Sequence, residues 1–293
     1  MIPRCCHNSF LIISFWLLVS CSNTEAGSLL KTTSAPQLPL NQAETILPSP
    51  DGKWIAYFFG TQHIDYKLSV ANFDDTVVWN INQDNLDAEA RFAPYRWSQD
   101  SRYLYFNIYV AIDGYVPFYQ GAGLQRFDVL NGTVREILSS GYLSDPTFGI
   151  YSWNFVPFSL SPDDKQLAYI NNFDDETQLV IRDMKTGKEK SLFFKGYSNA
   201  GSISWSPQQD QLVLAITKGT NWEDMLCSLE LVEVDSLTSR TLVVDKDLDW
   251  VFDPILWTNN DTILLKERGG PYLYLEITTG KLSPAPDLTT VPD

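Results

Sequence analysis

Five times along the chain a short polar segment gives way at once to an apolar run: at Ser49 (SPDGKWIAYFF), Ser98 (SQDSRYLYFNI), Ser161 (SPDDKQLAYI), Ser206 (SPQQDQLVLAI) and Thr258 (TNNDTILLKE). Pro presets φ at the second turn position, Asp, Asn and Gly tolerate the remaining angles, and β-branched or aromatic residues resume immediately, so each segment reads as a tight turn into a strand. A second pattern, a strand ending in a polar turn, follows each copy: LSVANFDDTVVW, LQRFDVLNGTVREIL, LVIRDMKTGKEKSLFF, LELVEVDSLTSRTLVV and LYLEITTGKLSP. The two alternate strictly. Each unit therefore predicts four strands, A to D, with tight A–B and C–D turns and longer B–C and D–A connections. A four-stranded antiparallel unit recurring every ~40–50 residues is the signature of a β-propeller blade. The expectation is an all-β propeller of five blades, with room for a sixth, degenerate strand pair between Leu138 and Phe158, where the turn spacing widens to 63 residues. A large β-sandwich would require neither the period nor the alternation. Trp97, Trp205 and Trp257 share one offset from the A–B turn and are expected to be buried equivalents.

At these residues, above all SPDGK and LSPDDKQLAY, the chain resembles the TolB-type propeller repeats, relatives of the WD repeat, over about Ala43 to Pro284. The resemblance implies a propeller. TolB itself has six blades where five are legible here, and its preceding α/β domain has no counterpart before Ala43.

The N-terminus reads as an address. Arg4 supplies a positive n-region, Phe10 to Val19 an apolar run too short to span a bilayer, and Ser20 a small residue before Cys21. Leu18-Val19-Ser20-Cys21 resembles a bacterial lipobox, which implies a signal peptide over residues 1–20 and lipid (diacyl, often with a further palmitate-like chain) on Cys21. Residues 21–42, rich in Ser, Thr, Pro and Ala without apolar periodicity, read as a flexible tether to the propeller at 43–284, with 285–293 as a C-terminal tail. The implied location is the extracytoplasmic side of a bacterial envelope membrane. With Cys5 and Cys6 removed and Cys21 acylated, Cys227 stands alone, so the core and not a disulfide must hold the domain.

The 293 residues carry a formal charge of -15 and a pI of about 4.5, which removes nucleic acid and anionic lipid headgroups as partners. One histidine, His63, outlasts the signal, so a multi-histidine metal site is not expected. Asp245-Lys-Asp-Leu-Asp249 lacks the Gly and Glu of a calcium loop. Gly196-Tyr-Ser198-Asn-Ala200 is faintly elbow-like but joins two strands where a nucleophile elbow needs strand, turn and helix. No Walker or dinucleotide motif occurs, and neither cofactor nor catalytic residue is assigned. Topology sends every long, aromatic and acidic segment to the B–C/D–A face. Asp145, Trp153, Trp222, Glu223, Asp224, Trp250 and Asp253 are its candidate binding residues, since aromatics beside acids suit peptide or sugar recognition. The leading expectation is a non-catalytic binder of a protein, peptide or envelope ligand. The alternative is a carbohydrate-active hydrolase with two carboxylates at the channel.

Overall fold

The computed structural model describes residues 31–32, 43, 45–61, 64–74, 77–81, 90–110, 123–138, 157–172, 176–197, 199–218, 226–245, 255–266 and 271–285. A two-residue strand β1 (Lys31–Thr32) precedes blade 1, made of β2 (Thr45–Pro48), β3 (Trp54–Thr61), β4 (Ile64–Asn72) and β5 (Val78–Ile81). Blade 2 is β6 (Ala90–Trp97), β7 (Tyr103–Val110), β8 (Gly123–Asp128) and β9 (Thr133–Leu138). Blade 3 is β10 (Phe158–Leu160), β11 (Gln166–Asn172), β12 (Glu176–Asp183) and β13 (Glu189–Lys195). Blade 4 is β14 (Asn199–Trp205), β15 (Gln211–Lys218), β16 (Leu226–Glu233) and β17 (Thr238–Asp245). Blade 5 is β18 (Leu256–Asn259), β19 (Thr262–Lys266), β20 (Tyr272–Glu276) and β21 (Leu282–Pro284). Each blade is an antiparallel meander in chain order, which makes the protein an all-β propeller of five four-stranded blades. Lys31 and Thr32, within the segment read as a tether, pair with Trp79 and Val78 and add a fifth strand to blade 1.

One local device builds four of the A–B turns. Ser49 Oγ accepts the N–H of Trp54 (3.0 Å) and donates to Asp51 Oδ1 (2.8 Å), which in turn accepts the N–H of Lys53 (3.0 Å). Ser98 with Asp100 and Ser161 with Asp163 repeat the arrangement, and Ser206 keeps its two serine bonds, accepting the N–H of Gln211 and donating to Asp210. All four serines are buried. The turn ends in a left-handed residue at Gly52, Ser101, Asp164 and Gln209, with φ between 60° and 69°. Gly, Asp and Ser tolerate that region where β-branched residues would not.

The sheets converge at their A strands, where β6 meets β2, β3 and β4 and β14 meets β10, β11 and β12. Four apolar cores fill the four successive junctions. Ala56, Phe58, Val70 and Trp79 of blade 1 meet Trp97, Leu104, Phe106 and Phe127 of blade 2. Tyr105, Leu124 and Leu138 of blade 2 meet Phe158, Leu167 and Tyr169 of blade 3. Ile170, Leu179 and Phe194 meet Trp205, Leu212 and Leu214 of blade 4, and Val213, Leu229 and Leu231 meet Ile263, Leu265 and Leu275 of blade 5. Blades 2 and 3 thus share one core directly, and residues 139–156, where the sequence leaves room for a degenerate strand pair, lie outside the described residues. A fifth cluster, Tyr57, Ala71 and Val78, draws on blade 1 alone.

The tryptophans report the register. Trp97 and Trp205 are buried, and each donates its indole N–H to a backbone carbonyl of the preceding blade's A strand, Leu47 and Ser159, both at 2.9 Å. Trp257 makes the equivalent bond to Ser204 at 3.2 Å but is half-buried. A bulge between Trp257 and Asn259 accompanies its looser fit. At the junction of blades 2 and 3 the position belongs to Leu160, and polar contacts replace the indole. Tyr95 Oη accepts the Leu160 N–H (3.2 Å), while Arg96 donates to the Ser161 carbonyl and to Asp164.

Candidate functional site

The two ends of the blades differ in kind. At one end the A–B and C–D turns are short and internally bonded. Asp183 Oδ1 alone accepts the N–H groups of Lys185 (3.0 Å) and Thr186 (2.7 Å) and the Thr186 hydroxyl (2.8 Å). These bonds hold its carboxyl below the usual range. The backbone N–H of Lys53 and the Ser49 hydroxyl take Asp51 down to about 2. The turn carboxylates are therefore structural anions already saturated with donors.

From the other end leave the long connections: 111–122 between β7 and β8, 139–157 between β9 and β10, 219–225 between β15 and β16, and 246–255 between β17 and β18, with 82–89 between β5 and β6 besides. Asp145 and Trp153 belong to the second of these, Trp222, Glu223 and Asp224 to the third, Trp250 and Asp253 to the fourth. All seven lie outside the described residues, as do His63, Ser198 and the lipid candidate Cys21. The elbow-like segment joins β13 to β14, a strand–turn–strand context.

The described residues bear on the hydrolase alternative in one respect. The five A strands, where the blades converge, contain no Asp or Glu. Two carboxylates are buried among the described residues, Asp128 and Glu230; on Glu230, at the C position of blade 4 on β16, a single oxygen accepts hydrogen bonds from Ser228 (2.8 Å) and Thr241 (2.7 Å). Among the described residues no three His, Cys, Asp or Glu side chains gather as a metal site. Cys227 is buried.

Sequence reasoning missed a polar belt across the junction of blades 2 and 3. Arg96, Tyr105, Arg126 and Arg135 are successive cross-strand neighbours on β6, β7, β8 and β9. Arg96 bonds Asp164, Arg102 bonds Asp128 (2.8 Å), and Arg182 bonds Glu189 (2.7 Å) and the Ile137 carbonyl (2.8 Å). Burial works against the charge on Asp128, but Arg102 and the N–H of Leu130 outweigh it and lower its pKa. The signal was in the sequence only as arginines on opposite arms of the LQRFDVLNGTVREIL hairpin, visible once the register is known.

No family model matches the sequence, and no curated protein matches it. Among solved structures the fold is similar to TolB from Acinetobacter baumannii (15% identity, TM-score 0.49, covering 81% of this chain and 52% of that one). It is similar to a TolB from Agrobacterium tumefaciens (14%, 0.47, 82% and 79%) and to a chain of a mitotic checkpoint complex (13%, 0.49, 94% and 74%). The chain thus spans about half the length of the Acinetobacter protein.

Proposed function

We propose that this protein is a membrane-tethered, extracytoplasmic propeller lipoprotein, held by acyl chains on Cys21, that binds a protein, peptide or cell-envelope ligand on its B–C and D–A face without turning it over. The observation that carries this reading is the asymmetry of the two blade ends. One end is closed by saturated turns. From the other leave the long connections, whose sequences hold Trp153, Trp222, Trp250 and neighbouring acids. Binding residues concentrate on loops that a rigid scaffold positions, and four shared apolar cores supply that scaffold.

Photo-crosslinkers placed at Trp153 and Trp222 in cells, against controls at Thr279 and Asp235 on the tight turns, test the face. Capture of one partner from the first pair alone is expected; capture from the second pair alone would overturn the assignment. Fatty-acid labelling of wild type but not of Cys21→Ser is expected from the anchor, and equal labelling of both would remove it.

A further inference from the structure

The protein carries 36 acidic residues against 21 basic ones, yet five of its arginines crowd one blade junction. Arg96, Arg102, Arg126 and Arg135 come from blade 2 and Arg182 from blade 3. Three described carboxylates answer them, and each is committed: Asp164 to Arg96, Asp128 to Arg102, Glu189 to Arg182. Arg126 and Arg135 have no carboxylate at ion-pair distance among the described residues. Their register makes this costly, because they stand directly opposite each other on β8 and β9, where like charges repel.

Arg126 is also held in place. Its guanidinium lies over the Tyr103 ring at 4.4 Å, and Arg102 lies against that ring at 5.0 Å. Its cross-strand neighbour on the other side is the buried Tyr105; burial pushes that phenol up to about 12, so it stays neutral and leaves the arginine's charge uncompensated. Arg135 completes the pair from an exposed position on the outermost strand. A fixed, half-buried guanidinium beside an exposed one is an arrangement suited to a carboxylate, because a planar fork with little freedom left loses little on binding.

We propose that Arg126 and Arg135 form a docking site for an acidic segment of a partner protein, on the outer rim of the blade 2–blade 3 junction. The occupant follows from charge complementarity: the three ion pairs leave Arg126 and Arg135 as adjacent guanidiniums with no ion-pair partner among the described residues, on an otherwise anionic molecule. This surface is distinct from the loop face and stands or falls independently of it, since none of its residues belongs to the long connections.

The test is fluorescence anisotropy of a labelled hexaglutamate peptide with the full chain. At about 150 mM salt the Debye length is about 8 Å, so the molecule's overall negative charge is largely screened from the patch. Saturable binding is expected, weakened about tenfold or more by Arg135→Gln, a change at an exposed residue that leaves the fold intact, and unaffected by Lys281→Gln on blade 5. Arg126→Lys should weaken it less than Arg126→Gln, because it keeps the charge and loses the fork. Absence of binding, or equal affinity of wild type and Arg135→Gln, would overturn the proposal. Binding of inorganic tripolyphosphate through Arg135 without binding of hexaglutamate would overturn it in favour of a phosphate ligand.

Discussion

Replacing Trp205 with Ala should cost about 3–5 kcal/mol, the range for removing a large buried aromatic from a core that cannot fully collapse. The geometry says why the upper part of that range applies. The ring is buried in the blade 3–blade 4 core against Ile170, Leu179 and Leu214, and its N–H bonds the Ser159 carbonyl at 2.9 Å. Both the apolar contact and the stitch between A strands disappear together. Trp205→Phe separates the two, because it keeps a ring and leaves the Ser159 carbonyl without this donor; about 1–3 kcal/mol is expected. Trp257→Ala should cost less than Trp205→Ala, since Trp257 is half-buried and its bond to Ser204 is 3.2 Å. Thermal melts followed by far-UV circular dichroism read all three. At about 2–4 °C per kcal/mol, Trp205→Ala should lower Tm by roughly 6–20 °C. A loss below about 1 kcal/mol for Trp205→Ala, or a larger loss for Trp257→Ala, would refute the register on which the blade alignment rests.

Two other perturbations probe the same framework. Phe73, Val129, Met184, Val234 and Ile277 hold one position after strand C, each donating its N–H to the residue before strand B, yet Ile277 is 5% exposed against blade 4 while Phe73 is 74% exposed. Ile277→Ala should therefore cost about 2–5 kcal/mol and Phe73→Ala close to nothing, measured by urea titration; equal losses would contradict the burial. Asp51, Asp163 and Asp183 all have carboxyl groups lowered from the usual 3.8, Asp51 to about 2. Their contribution is present above the unfolded value and lost as pH falls from about 4 towards 2, so melts across that window should show falling stability, with a smaller drop in Asp51→Asn; a stability that rises on acidification would invert the sign.

The repeat was legible because turn chemistry is local. Ser, Pro, Asp and Gly at SPDGK and LSPDDKQLAY announce the bonds that Ser49 and Ser161 make, and the Trp offset announces inter-blade stitches at Trp97 and Trp205. The looser seat of Trp257 was not legible, because a bulge is a property of strand pairing. Lys31 and Thr32 carry no strand signal of their own, and their pairing with β5 depends on an edge that another part of the chain supplies. The Arg126–Arg135 pair likewise exists only in register, across a hairpin whose bulge between Leu124 and Gln125 sets which residues face each other. Of the loop-face candidates the sequence gives types and topology, and the strand ends from which their connections leave share one side.

The most direct test of binding at that face is the salt dependence of association with a partner captured there. One variant would replace Glu223, Asp224 and Asp253; its match would replace Asp74, Asp235 and Asp261, exposed acids at the tight-turn end that take no part in the Ser–Asp turn bonds. Stopped-flow association rates would be measured across ionic strength. An anionic molecule steers a cationic partner with an on-rate that falls as salt rises. The first variant should associate more slowly and with a flatter salt dependence, while the second keeps both near wild type. The reverse pattern, slowed association in the second variant alone, would place recognition on the tight turns and contradict the account.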